Sequence, residues 1–348
     1  MADSALTEHQ SEALQALVNF ISSDELVTFS VLGMTSTGKS LLLERAVSEI
    51  VRSGRKPIVL APNRRLADRS LDGAASIYAH LYGGDGSEDG DDEANEDKAR
   101  LKLVPLRECK DEDDCVYLLD DAHLLGNSRF ITPDGKQYGS GHLLDDFFTF
   151  AKLGKGDRKA IFFGDPYQIQ RSGEDESALL GEFQKGRELK HQFLELVQVV
   201  DATGGSAKLV NAERLVKAIR SQRFAELDLR TDESLRLADE QAVAAEMLER
   251  YGSDPFSVWY LAETHATGNA FTQSLRERLH HKQPPASLET ADLLEVYVEP
   301  KSKSGSHSWG GRRSVASVEN REEYEQSLRG RADPIRFHSI SCRLNGAD

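Results

Sequence analysis

Cysteine is scarce in this chain: Cys109, Cys115 and Cys342 are the only three among 348 residues. That number and spacing exclude a disulfide-stapled scaffold and a cysteine-built metal site, and they suit a reducing compartment. Long apolar runs are missing as well. None approaches the roughly 20 residues needed to span a bilayer. The opening Met1-Ala2-Asp3-Ser4 has neither the basic nor the apolar region of a secretion signal, so the expected location is the cytoplasm. Positive charge is in deficit, with 43 Lys and Arg against 58 Asp and Glu and a formal net charge of −15. Bulk electrostatic attraction to nucleic acid is therefore excluded, whereas a local basic groove is not. No internal repeat is evident, and the length suits about two domains, each with its own core.

What is present centres on Gly33-Met34-Thr35-Ser36-Thr37-Gly38-Lys39-Ser40, which fits G-x-x-x-x-G-K-[ST], the phosphate-cradling loop of P-loop nucleoside triphosphatases. Leu26 to Leu32 runs into it as a β-branched and aromatic strand, and Leu41 to Val47 leaves it as helix formers without a breaker. The order strand, loop, helix carries the physics. Backbone N–H groups across Gly33, Thr35, Ser36, Thr37 and Gly38 hold phosphate oxygens, Lys39 neutralises the outer phosphates, and Ser40 offers its hydroxyl to Mg²⁺. The expected cofactors are ATP and Mg²⁺.

Upstream, Leu6 to Gln10 precedes an amphipathic helix over Ser11 to Ile21. Gln10 has an amide that both donates to and accepts from an adenine edge, or it is an ordinary surface glutamine at a helix start. Lys56 to Pro62 reads as a second buried strand closed by Pro62, with Asn63, Arg64 and Arg65 at its carboxyl end, where open α/β sheets bind ligands. Those side chains suit phosphate or base contacts, or a solvated helix start. Ala75 to Tyr82 predicts a short helix whose His80 either stacks on bases or belongs to the core. Gly83 to Asp97 is an acidic, glycine-bearing insertion that has no core to contribute and lacks the ligand spacing of a calcium loop.

Val116 to Leu119 is an apolar strand ending in Asp120-Asp121-Ala122-His123. Paired carboxylates there place Asp120 at Mg²⁺ and Asp121 at the attacking water, unless they merely cap the strand. Lys159 to Phe163 is another strand, running into Gly164-Asp165-Pro166-Tyr167-Gln168, where the Gln168 amide can meet a γ-phosphate or the water. Beyond Leu180 the pattern predicts helices over Lys208 to Phe224 and Glu240 to Tyr251, a strand over Ser257 to Ala262, and a helix over Asn269 to Leu279. Further strands follow over Leu293 to Val298 and Ile335 to Cys342, with an exposed loop over Lys301 to Arg313. The expected fold is α/β: a RecA-like parallel sheet with helices on both faces over 1–190, then a partial second α/β domain over 191–348.

Taken together the motifs resemble superfamily 1 helicases, in particular the RecD-like and Dda-like branch. Leu6 to Gln10 is similar to the adenine-reading Q-motif, Gly33 to Ser40 to motif I, Ala61-Pro62-Asn63 to motif Ia, and Ser76 to Leu81 to the strand-contacting segment after it. Asp120 to His123 is similar to motif II, and Gly164 to Gln168 to motif III. The resemblance implies catalytic roles for Lys39, Asp120, Asp121 and Gln168, and a nucleic-acid face formed by Pro62, Asn63, Arg64 and His80. The implied partner is single-stranded DNA, with RNA left open. Three departures stand out. Asp121 occupies a position that is usually Glu, Leu194 to Val200 offers no arginine to complete the ATP site, and the family's last motifs do not occur before Asp348. The expected function is an ATP-dependent helicase or translocase, complete or as a fragment. The competing expectations are a P-loop ATPase that signals or scaffolds without unwinding, and a module that binds nucleotide without turnover.

Overall fold

The computed structural model describes residues 6–83, 102–132, 135–168, 179, 185–200, 205–253, 257–262, 265–280, 293–296, 314–326 and 335–344. The chain forms two compact units, 1–230 and 231–348.

The first unit is built on a six-stranded sheet in which every pairing is parallel. In chain order its strands are β1 (Thr28–Gly33), β2 (Pro57–Ala61), β3 (Ala75–Ser76), β5 (Val116–Leu119), β7 (Lys159–Gly164) and β8 (His191–Leu196), and they lie side by side as β3-β2-β5-β7-β1-β8. A parallel sheet is covered on both faces, and its inner strands β1, β5 and β7 are accordingly buried along their whole length, whereas the edge strand β8 is partly exposed. Residues alternate between two cores with the period of two that strands impose. Tyr117, Leu119, Ala160 and Phe162 face one core, with Ile77 and Leu81 of α4 (Ile77–Tyr82) and Phe147 of α5 (Leu143–Ala151). Val116, Leu118, Ile161 and Phe163 face the other, with Leu17 and Phe20 of α1 (Glu8–Ser22) and Leu42 and Ile50 of α2 (Lys39–Arg52). The α/β fold expected from the sequence is the fold observed.

Strand β8 closes the edge beside β1, Thr28 pairing with His191 and Gly33 with Leu196. Residues expected to open a second domain thus complete the first sheet, and a helix over Ala207–Ser221 stays in the same unit. The division between the two compact units lies after Arg230, with β8 and this helix in the first. A small pair, β4 (Lys102–Val104) and β6 (Lys136–Tyr138), lies outside the main sheet.

In the second unit, helices over Glu240–Ser253 and His265–His280 match expectation. Ser257 to Ala262 is irregular, not a strand. Its composition favours β structure, yet Trp259 and Leu261 are 69% and 92% exposed and Tyr260 stacks on Phe271 with ring centroids 3.7 Å apart. No described strand pairs with it, and without a neighbour the propensity is not realised. Strands β9 (Leu293–Val296), β10 (Ser314–Gln326) and β11 (Ile335–Leu344) form an antiparallel sheet with β10 in the middle. The acidic stretch 84–97 and the loop 301–313 lie outside the described residues.

Candidate nucleotide site

Register brings the chemistry to one edge. Leu32 pairs with Gly164 and Leu119 with Phe162, so the loop after β1, the carboxylates after β5 and the turn after β7 leave the sheet together.

The loop is braced from several sides. Gly38 caps α2 with φ 91°, and a Cβ there would stand 2.2 Å from Gln10 Nε2. A Cβ on Gly33 would meet Thr37 Oγ1 at 2.6 Å. Both positions therefore need glycine, Gly38 for conformation as well as space. Thr37 Oγ1 donates to Met34 O at 2.9 Å, and Ser36, itself left-handed at φ 61°, accepts from the Val200 N–H at 2.7 Å. Gln10 is buried: Nε2 donates to Thr37 O at 3.1 Å, and Oε1 accepts from Thr7 N at 3.0 Å within a capping box. Here the amide holds up the loop. One Nε2 hydrogen and one Oε1 lone pair are left over for an adenine edge.

Lys39 Nζ donates to Gly33 O at 2.6 Å and Met34 O at 2.8 Å. Burial lowers its pKa, while Asp165, Asp121 and Asp120 pull it back up. A partly buried ammonium resting on neutral carbonyls fits an anionic ligand, whose phosphate oxygens would replace them. Ser40 and Asp120 offer the hard oxygens that Mg²⁺ takes, normally alongside phosphate oxygens. Among the described residues no group of three or more His, Cys, Asp or Glu is placed to hold a metal unaided.

Asp120 Oδ2 accepts from Ser70 Oγ at 2.7 Å, and Oδ1 accepts from the Asp121 N–H at 3.0 Å. Asp121 is left-handed at φ 47°, an uncommon state for a residue with a Cβ. Burial, then repulsion from Asp120, raises its pKa. Among the described residues its carboxylate accepts no hydrogen bond. His123 is buried, which lowers its pKa against the pull of Asp121 and Asp165.

Asp165 is the hub that sequence reasoning missed. Its N–H donates to His123 Nδ1 at 3.5 Å, Oδ1 accepts from Tyr167 N at 3.0 Å, and Oδ2 accepts from Gln168 Nε2 at 3.2 Å. The only sequence signal was a carboxylate before Pro166 at a strand end. Arg220 was missed too. Its Nε donates to Tyr167 Oη at 2.6 Å, it pairs with Glu195, and it lines a cleft of about 430 Å³ that reaches Met34.

The candidate nucleic-acid residues are less unified. Pro62 is buried. The Asn63 side chain caps α3 (Arg64–Ala67) by accepting from Leu66 N at 3.0 Å, and Arg64 is exposed, pairing with Asp68 at 3.1 Å. His80 turns inward. Its Nε2 lies 2.8 Å from Asp111 Oδ2, and its ring meets Phe150 and Tyr117 edge-on. It is half-buried, because α4 packs this side against the sheet.

No protein-family model matches the chain, and no curated protein matches it. Among solved structures it is similar in fold to a Pif1 helicase from Candida albicans, at 12% identity and a TM-score of 0.42, over 98% of this chain and 78% of that one. It is also similar to a DNA replication initiation factor, at 15% identity and a TM-score of 0.31, over 80% of this chain and 79% of that one. Likeness at this level carries no assignment of activity.

Proposed function

We propose that the chain is a Mg²⁺-dependent ATP hydrolase of the superfamily 1 helicase type, RecD-like or Dda-like, whose hydrolysis is coupled to single-stranded DNA. The observation that carries this reading is the partly buried ammonium of Lys39, held by loop carbonyls among Asp120, Asp121 and Asp165 at one sheet edge. Lys39 binds the outer phosphates, and Ser40 and Asp120 would hold Mg²⁺, which supplies charge neutralisation between phosphates. Asp121, its pKa raised by burial and by Asp120, takes the proton of the attacking water, through a second water because its side chain is shorter than Glu. Gln168, oriented by Asp165, positions that water. Asn63 and Arg64 contribute the strand contact, and His80 supports it only through packing. The cytoplasm is the proposed place of action. No described helix is long and apolar enough to cross a membrane.

One observation favours a second reading, an ATPase that signals or scaffolds without unwinding: the described strands of the second unit pair only antiparallel, unlike the first sheet. Hydrolysis measured with and without a single-stranded oligonucleotide, followed by strand displacement on a tailed duplex, tests both. Stimulated hydrolysis with displacement supports the helicase type, and unstimulated hydrolysis supports the second reading. Absence of turnover overturns both.

A further inference from the structure

Ser70 belongs to none of the motifs, yet its hydroxyl donates to Asp120 Oδ2 at 2.7 Å. The other Asp120 oxygen takes the Asp121 N–H at 3.0 Å, and the Asp120 N–H is tied to Leu60 O at 2.8 Å. The carboxylate is thus held in one orientation, with about half of its roughly four lone-pair sites still open. Ser70 is itself fixed. Its N–H closes the turn after α3 on Leu66 O and Ala67 O, at 3.0 and 3.2 Å. Ala67 is buried, and Leu71 packs against the core under α1 and α2.

We propose that Ser70 is the positioning residue of the metal carboxylate: it aims Asp120 at Mg²⁺ and ties the 63–70 segment to the hydrolysis site. The inference rests on the Mg²⁺–ATP reading above. Magnesium demands near-ideal octahedral geometry, so a carboxylate that rotates freely is a poorer partner than one held by a donor. The same bond makes α3 a lever. Asn63 caps its start and the turn after it carries Ser70 to Asp120, so a displacement at 63–65 reaches the metal carboxylate through that helical turn and the turn that follows it.

The test uses the full chain with Ser70→Ala and Ser70→Thr. Binding of a fluorescent N-methylanthraniloyl ATP is titrated with Mg²⁺ and repeated in EDTA, with Mn²⁺ paramagnetic resonance as a direct readout of the metal. The half-saturating Mg²⁺ and Mn²⁺ concentrations should rise about 10-fold in Ser70→Ala, the lower end of the range for loss of an outer partner. Affinity in EDTA should be unchanged, and Ser70→Thr should restore the wild-type metal dependence. Equal weakening with and without metal marks a merely structural serine and overturns the inference. So does an unchanged metal dependence, which leaves the ATPase reading standing. A wild-type chain with no metal-dependent nucleotide binding overturns both.

Discussion

Two histidine–aspartate groupings are built around the same strand, β5, and they differ in how well their charges are met. Around Tyr117, the Asp111 Oδ2 atom receives Tyr117 Oη at 2.7 Å and His80 Nε2 at 2.8 Å, with Cys109 Sγ at 3.6 Å. Burial pushes the Asp111 pKa up, but the bonds from Tyr117 and His80 outweigh it and hold the carboxyl below its ordinary value. Beyond Leu119 the outcome reverses. Asp121 is raised, Lys39 and His123 are lowered, and in each case burial is the leading cause. The same residue types thus make a satisfied structural cluster in one place and a strained, ligand-ready one in the other. A histidine beside an aspartate indicates a site only where neighbouring donors have left the charges unmet.

The largest expected effect that would break this contrast is at Lys39. Lys39→Ala should lower ATP hydrolysis by about 10³-fold, as loss of a key charge-stabilising donor does, with the melting temperature held. Near wild-type turnover would remove the loop from the site. Asp121→Asn should lower hydrolysis by about 10²-fold and, in EDTA at neutral pH, raise the melting temperature. A carboxyl whose folded pKa is raised is most favourable below its unfolded pKa and loses that stability as pH rises through the folded value. The neutral amide escapes that loss.

Asp111→Asn should do the opposite. It weakens the bonds from Tyr117 and His80, costing about 1–3 kcal/mol, which is several degrees of melting temperature for a unit of this size. Because the Asp111 pKa is lowered, its stabilisation is present above the unfolded carboxyl value of about 3.9 and is lost as pH falls through the folded value. The gap between wild type and variant, followed by calorimetry from neutral to acid pH, should therefore close on acidification. Shifts of the same sign for Asp111→Asn and Asp121→Asn would dissolve the contrast.

His80→Ala sharpens it from the other side: the melting temperature should fall by a few degrees, as loss of about 1–2 kcal/mol would give, and oligonucleotide affinity should stay constant. An affinity loss at constant melting temperature would return His80 to the groove. The smallest effect is expected at Arg64. Arg64→Ala should reduce the slope of log affinity against log salt by about 1, measured by anisotropy with a labelled oligonucleotide.

The strands and the places of the glycine loop and of the paired carboxylates at their ends were legible because each is local. A β-branched run ends in Gly33, and an apolar strand ends in Asp120. Roles carried by distant pairs were not. Ser70 and Asp120 are 50 residues apart, Tyr167 and Arg220 are 53 apart, and nothing in either neighbourhood marks the pairing. His80 shows the limit from the other side. Its segment gives its helix but not which way the ring turns, which depends on Asp111 and Phe150 arriving from elsewhere. Strand β10 was overlooked because Asn320-Arg321-Glu322-Glu323-Tyr324 has little alternation of apolar and polar residues, and its antiparallel pairing with β11 stabilises it regardless.

The position of β8 has a consequence for synthesis on the ribosome. β1 emerges among the first strands, but one of its two neighbours is the last strand of the sheet, and Ser36 waits for the Val200 N–H. Roughly the first 200 residues must leave the exit tunnel before the loop after β1 takes its braced form, because such non-local pairings close late. Both sides of β1 are unpaired until β7 arrives and one side until β8 does, so between Gly33 and Leu196 the nascent chain carries an open strand edge, which is the feature that chaperones shield.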